Sequence, residues 1–144
     1  MKRILLLSAL VLSLLQAKPM FTNETKTMLK EAKQEIGVVT AKELDSLINK
    51  NKTVVLDIRT PSEWENGVIK SDKLVKVARG FLELQYTKKI LSKYSKDDKI
   101  VVYCGVEPRA ILASKTLKDL GFTNVSYLKG GYFNWRDSGY ETSE

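Results

Sequence analysis

The sequence contains one cysteine, Cys104, and no histidine, and together these two facts narrow the chemistry that the chain can perform. Without imidazole, the Ser-His-Asp and Cys-His mechanisms and nearly every ordinary zinc site are excluded. A cysteine thiolate can still act as a nucleophile if a nearby positive charge stabilises it. Arg109, five residues after Cys104, could supply that charge. The candidate chemistry is therefore nucleophilic attack by a thiolate, without a general base.

The segment around Cys104 has the features of an anion-binding loop. It follows the apolar run 99–103, which predicts a buried strand, and it precedes a predicted helix over 109–120. Amide groups at a helix start have no partner within the helix, so they can point at an anion. We therefore expect the pKa of Cys104 to fall below its ordinary value of about 8.5. The candidate substrate-binding residues of the loop are Gly105, Val106, Glu107, Pro108 and Ala110.

Strands and helices alternate along the chain, which is typical of a parallel sheet covered by helices. Apolar runs predict strands at 38–39, 53–58, 74–77, 99–103 and 124–128. Amphipathic or capped segments predict helices at 40–50, from 61, at 81–91, at 109–120 and at 132–136. Ligands of such sheets bind beyond the carboxyl ends of the strands, where Cys104 is expected. The predicted fold class is therefore α/β.

The N-terminus resembles an export signal. Lys2 and Arg3 precede an apolar run at 4–15, so residues 1–17 predict a signal peptide and a periplasmic or secreted protein. An uncleaved leader that anchors the chain is the alternative, and it would be the only membrane contact. Residues 18–37 form a lead-in with a short helix at 25–35, and 38–144 form the domain. The net charge of +7 comes from scattered lysines without an aromatic ladder, which argues against nucleic-acid binding.

Four segments resemble the rhodanese family in its single-domain form. The first is the Cys-x-x-x-x-Arg-Ala loop at 104–110, and the others lie at 55–64, 78–83 and 128–135. The resemblance implies a rhodanese-like fold with about five parallel strands flanked by helices on both faces. It also implies that Asp57 and Arg59 support neighbouring loops rather than act in catalysis. Packing roles are expected for Trp64 and Trp135, a tight turn at Gly130-Gly131, and an exposed position for Arg79.

The resemblance implies a sulfurtransferase. Cys104 would take a sulfane sulfur from a small anion such as thiosulfate or polysulfide and hold it as a persulfide, and Arg109 would assist. A thiol or a protein would then accept the sulfur, and no metal or organic cofactor is implied. The alternative is a periplasmic protein that carries polysulfide sulfur with little free turnover. A phosphatase is disfavoured because related phosphatases have the longer Cys-x5-Arg loop. An inactive regulatory module is disfavoured because both Cys104 and Arg109 are present at the spacing of the active loop.

Glu107 departs from the family pattern, in which glycine is common at this position. If its carboxylate lies in the loop, it cancels the charge of Arg109, and a dianion such as thiosulfate becomes a poor donor. If it points to solvent instead, it leaves the loop unaffected. Both alternatives remain open at the level of the sequence.

Overall fold

The computed structural model describes residues 20–144 of the chain. The strands in this range are β1 Gly37–Val39, β2 Val54–Asp57, β3 Val68–Ile69, β4 Leu74–Lys76, β5 Ile100–Tyr103, β6 Val125–Leu128 and β7 Thr142–Ser143. The helices are α1 Asn23–Glu35, α2 Ala41–Asn49, α3 Pro61–Trp64, α4 Leu82–Tyr86, α5 Pro108–Asp119 and α6 Gly131–Asp137. The predicted signal peptide, 1–17, lies outside the described residues.

Five strands form a parallel sheet in the order β1-β6-β5-β2-β4. The predicted α/β fold with a five-stranded parallel sheet is therefore confirmed. After β2 the chain moves toward β4, whereas after β5 it moves toward β6, so the connections leave these neighbouring strands in opposite directions. Such a switch point opens a crevice at the carboxyl ends of the two strands. The antiparallel pair β3–β7 was not predicted, because strands of two residues leave no periodic pattern.

Helices cover both faces of the sheet, which explains why its central strands are apolar throughout. In β5, Ile100 and Val102 pack into a core that also contains Leu82 of α4 and Ile111 of α5. The alternate residues Val101 and Tyr103 pack into a second core, with Leu44 of α2 and Trp135 of α6. Every residue of β2 and β5 is buried because each strand meets a helical layer on either side.

The predicted helix at 81–91 forms over residues 82–91, but it is not a regular α-helix. A 3-10 turn at Arg79–Phe81 leads into α4, and a π-helical turn at Thr87–Leu91 follows it. A π-helical turn rotates less per residue than an α-helix. It therefore brings Ile90 to the same buried side as Leu82, and both side chains are fully buried.

Helix α1 packs against α5, with Ala32 buried between them. The Nζ of Lys118 in α5 donates a 2.7 Å hydrogen bond to the carbonyl oxygen of Glu35 at the end of α1. This helix lies within the predicted lead-in 18–37 and makes direct contact with the helix that follows the cysteine loop. Within residues 20–144, the helices are too short and too polar to span a membrane.

Candidate functional site

Cys104 lies immediately after β5, at the switch point of the sheet. Its side chain packs in the core beneath α4 and α5, and the residue is fully buried. The loop continues to Glu107, and α5 begins at Pro108. The predicted substrate-binding residues therefore lie between a buried strand and a helix start. Within this loop Gly105 and Ala110 are buried, whereas Val106 is about half exposed.

The backbone amides of Val106, Arg109 and Ala110 lie near the Cys104 sulfur and, together with the Arg109 charge, act to lower the pKa of the thiol. These groups favour the thiolate, as the loop pattern predicted. Burial has the opposite and larger effect, and it raises the pKa of Cys104 above its ordinary value. The prediction of a lowered pKa is therefore wrong, because the sequence did not reveal how completely the sulfur is covered. In the resting protein the thiol form is favoured.

Helix α6 holds the opposite side of the loop. The amide of Tyr132 donates to the carbonyl oxygen of Cys104 at 2.8 Å, and the amide of Phe133 donates to that of Gly105 at 3.1 Å. These carbonyls accept hydrogen bonds from α6, while the amides of the following turn lie near the sulfur. Gly131 makes this approach possible, because a Cβ there would lie 2.7 Å from the carbonyl oxygens of both Cys104 and Gly105. Gly130 and Gly131 also have positive φ angles of 76° and 62°, as the predicted tight turn requires.

Arg109 makes a bidentate ion pair with Glu63, a residue to which the sequence analysis assigned no role. Its Nη1 lies 2.8 Å from Oε2 of Glu63 and its Nη2 lies 2.7 Å from Oε1. Hydrogen bonds from Arg109 and Thr60 outweigh burial and lower the pKa of Glu63 to about 2. The ion pair joins the connection after β2 to the connection after β5, across the switch point. Half of this arrangement is indicated by the pattern Thr-x-x-Glu at 60–63, in which the amide and the hydroxyl of Thr60 both donate to Oε2 of Glu63 at 2.9 Å.

Glu107 occupies neither of the two positions considered from the sequence. Its Oε1 accepts a 2.9 Å hydrogen bond from the amide of Gly130, and its Oε2 lies 3.4 Å from Nζ of Lys33 in α1. The carboxylate is therefore turned toward α1 and the start of α6, and it does not pair with Arg109. In this position Glu107 links the cysteine loop to two other elements.

Asp57, the last residue of β2, and Arg59 form a buried ion pair at the carboxyl end of the strand. The Nη2 of Arg59 lies 2.7 Å from Oδ2 of Asp57, and it also donates to the carbonyl oxygen of Gly67 at 2.7 Å. The guanidinium lies 4.0 Å from the centre of the Tyr132 ring, on the side of the sheet opposite the core that contains Cys104. In this position the pair holds the connection after β2 in place, and Arg59 donates to Glu63 as well, through the carbonyl oxygen of that residue.

The other residues with expected roles are placed as follows. Trp135 is buried in the second core, and Trp64 is half-buried with Lys76 above its ring. Arg79 is not free on the surface, because it donates to Glu83 at 2.9 Å and to Thr116 at 3.1 Å. Within residues 20–144, the structure contains no cluster of three or more Cys, Asp and Glu side chains suited to a metal ion.

Solved structures resemble this chain over most of its length. A Rhodopseudomonas palustris protein of unknown function, described as a possible tyrosine phosphatase, is 31% identical with a TM-score of 0.75, covering 88% of this chain and 99% of its own. The homodimeric polysulfide-sulfur transferase of Wolinella succinogenes is 27% identical with a TM-score of 0.69, covering 83% and 87%.

Among curated proteins, thiosulfate sulfurtransferase 16 from Arabidopsis thaliana is 32% identical over 92 residues, which is 60% of this chain and 77% of that protein. The match spans less of two other curated relatives, 48% of one and 64% of the other. The profile of the rhodanese-like domain matches residues 40–138, from the N-cap of α2 to the end of α6. The chain therefore belongs to the rhodanese-like domain family, in which thiosulfate and polysulfide-sulfur transferases are found.

Proposed function

We propose that this protein is a sulfurtransferase that carries a sulfane sulfur as a persulfide on Cys104. The observation that carries the proposal is the position of the Cys104 sulfur against the amides of Val106, Arg109 and Ala110. Such amides stabilise negative charge without moving, because the strand and the helix fix them. Similarity to a thiosulfate sulfurtransferase and to a polysulfide-sulfur transferase supports the same reaction class.

The reaction would proceed in two displacements. The Cys104 thiol first releases its proton to solvent, and the thiolate attacks the outer sulfur of the donor. A sulfur–sulfur bond forms, and the donor remnant leaves with the electron pair of the broken bond, as sulfite when the donor is thiosulfate. A thiophilic acceptor then attacks the outer sulfur, and the Cys104 thiolate leaves. No net electron transfer takes place, and the two half-reactions predict ping-pong kinetics.

The buried thiol sets a condition on the first step. Because burial raises the pKa of Cys104, the thiolate forms only when a group in the loop compensates the new charge. The amides would compensate this charge together with the part of the Arg109 charge that Glu63 leaves uncompensated, and the same groups would stabilise a persulfide anion one bond further out. Arg109 thus has a role in both half-reactions.

A sulfur carrier is the second candidate, and the full burial of Cys104 favours it. A persulfide that is shielded from water and from small thiols would persist until a specific acceptor opened the loop. The carrier would take polysulfide sulfur and deliver it to a partner protein, with slow turnover toward small acceptors. Similarity to the polysulfide-sulfur transferase agrees with this alternative.

Steady-state kinetics with thiosulfate and polysulfide side by side, and cyanide as acceptor, would test the proposal. We expect turnover with at least one donor and none in Cys104→Ser, whose circular dichroism spectrum should match that of the unaltered protein. Intact mass spectrometry after incubation with donor should detect one added sulfur atom, which Cys104→Ser should lack. A stable adduct with negligible cyanide-dependent turnover would favour the carrier. Unchanged activity in Cys104→Ser, or clear hydrolysis of an aryl phosphate, would refute the proposed reaction.

Export is a separate part of the proposal. The residues at 1–17 that suggest a signal peptide would place the reaction in the periplasm or outside the cell. Expression of the full chain in a bacterium, followed by fractionation, would test this. We expect to recover the protein from the periplasmic fraction, with the mass of a chain that begins at residue 18. A full-length chain at the membrane would indicate an uncleaved leader, and a full-length chain in the cytosol would refute export.

A further inference from the structure

Glu63 places a negative charge at the cysteine loop. Its Oε1 lies 3.7 Å from the position that a Cβ on Gly105 would occupy, and Nη2 of Arg109 lies 3.5 Å from the same position. The carboxylate and the guanidinium therefore lie side by side next to the residue that follows Cys104. The side chains are partly exposed, at 31% for Glu63 and 40% for Arg109, so an approaching solute meets both charges.

Two other charged side chains near the loop have partners of their own. Glu107 is engaged by Gly130 and Lys33, and Arg59 is engaged by Asp57. The positive charge nearest to the sulfur is that of Arg109, and Glu63 compensates it through two short hydrogen bonds. The charges of Arg109 and Glu63 therefore cancel, even though the whole chain carries a net charge of +7. The site is not organised to attract a doubly charged anion.

We propose that Glu63 determines donor specificity by charge, and that it makes the site favour singly charged or neutral sulfane-sulfur compounds over dianions such as thiosulfate. This inference rests on the proposed sulfur transfer through Cys104. Each further negative charge on a donor is repelled by the ionised carboxylate, and it gains little from an arginine that is already paired. Glu63 is in this sense a specificity residue and takes no part in bond breaking.

Two donors that differ by one charge provide the test. Thiosulfate carries two negative charges, and methanethiosulfonate carries one, while both hold the sulfane sulfur on a sulfonyl sulfur atom. In each case the Cys104 thiolate takes the outer sulfur, and sulfite or methanesulfinate leaves with the electron pair. The ratio of kcat/KM for thiosulfate to kcat/KM for methanethiosulfonate therefore measures the preference for charge, with the chemistry of the step held nearly constant.

Glu63→Gln removes the charge but keeps the length of the side chain and an oxygen that can accept from Thr60. Glu65→Gln is the matched control, since Glu65 is an exposed carboxylate two residues further along. We expect the kcat/KM ratio to rise about tenfold in Glu63→Gln, which corresponds to about 1.4 kcal/mol. Added salt should diminish this change, because it screens charges. The ratio should remain unchanged in Glu65→Gln.

Four results would overturn the inference. Equal loss of activity toward both donors in Glu63→Gln would mean that the ion pair only holds α3 against the loop. An equal rise of the ratio in Glu65→Gln would assign the effect to net charge rather than to Glu63. Absence of transfer from both donors in the unaltered protein, with no sulfur adduct on Cys104, would refute the proposed function itself and this inference with it. An unchanged ratio in an active Glu63→Gln variant would refute the inference alone.

Discussion

Replacing Gly131 by alanine should damage the cysteine loop from outside the site. The new Cβ would lie in contact with three consecutive carbonyl groups, those of Cys104, Gly105 and Val106. All three belong to the backbone, so no side chain can rotate to make room. Either the loop or the start of α6 must move, and the hydrogen bonds from Tyr132 and Phe133 to the loop would be lost or weakened.

The size of the effect follows from two contributions. Alanine in a left-handed conformation costs about 1–2 kcal/mol, because Cβ crowds the following carbonyl. The loss of two backbone hydrogen bonds adds about 1 kcal/mol each. We therefore expect Gly131→Ala to lower the free energy of unfolding by about 3–4 kcal/mol. Many domains of this size have 5–15 kcal/mol in total, so the variant should still fold at low temperature.

Gly139→Ala is the control for the conformational contribution. Gly139 has a φ of 82°, and a Cβ there would meet nothing within 4 Å. This variant should lose only about 1–2 kcal/mol. Urea unfolding of the two variants would therefore separate the contact contribution from the backbone strain. Equal destabilisation of both would refute the inferred contact between α6 and the loop.

Activity of the folded Gly131→Ala variant tests the second half of the reasoning. The carbonyls of Cys104 and Gly105 are held by α6, so their displacement should also turn the amides that face the sulfur. Loss of one aligned donor of this kind lowers a rate by about 100-fold. We expect a fall of this order in sulfur transfer for Gly131→Ala, while Gly139→Ala remains active. Full activity in a destabilised Gly131→Ala variant would indicate that the amides do not depend on α6.

Three further predictions concern single groups. The pKa of Glu63 is lowered from 4.5 to about 2, so its ion pair should stabilise the fold above pH 4.5 and lose that contribution as the pH falls toward 2. After discounting for solvent screening we expect about 1–2 kcal/mol, measured as the difference in unfolding free energy between the unaltered protein and Glu63→Gln at each pH. The pKa of Cys104 is raised by burial, so the thiolate should form only above the pH at which ordinary thiols ionise. The difference in absorbance at 240 nm between the unaltered protein and Cys104→Ser would measure this. A transition near neutral pH would contradict the burial argument. The hydroxyl of Ser114 is buried without a hydrogen-bond partner, so Ser114→Ala should stabilise the fold by about 1 kcal/mol in urea unfolding, and a loss of stability would indicate a partner such as bound water.

The strands of the central sheet and most of the helices could be predicted from the sequence, because apolar runs and capping residues are local features. The apolar runs ending at Asp57 and Tyr103 are buried on both faces in β2 and β5, as continuous hydrophobic strands require. The helix predicted at 40–50 also forms, and Thr40 and Glu43 make a capping box at its start. The pair β3–β7 escaped prediction because it joins two-residue segments 70 or more positions apart. The π-helical turn after α4 escaped it because the apolar pattern of 81–91 does not distinguish a π-helical turn from a regular α-helix.

The electrostatics of the site could be predicted only in part. The loop pattern indicated correctly that amides and Arg109 would face Cys104, but the sign of the pKa change depended on burial. Burial is a property of the whole fold, since α4, α5 and the sheet together cover the sulfur. In the same way, Glu107 was expected either to oppose Arg109 or to face solvent. The nearness of Lys33 and of the Gly130 amide decided otherwise, and both belong to distant parts of the chain.

The contact between Glu63 and Arg109 could not be predicted from the sequence around Glu63. The local pattern at 60–63 already explains Glu63 as the acceptor of hydrogen bonds from Thr60. Nothing in residues 60–64 therefore indicates that the Glu63 carboxylate has a second partner. The contact with Arg109 arises because β2 and β5 are neighbours in the sheet and their connections leave in opposite directions. One carboxylate can thus accept from Thr60 at the start of α3 and from Arg109 of α5. If Glu63 governs donor charge as inferred, specificity in this domain depends on the connection after β2 as much as on the cysteine loop. Exchange of the segment 60–64 between relatives should then alter donor preference without any change in the loop that carries Cys104.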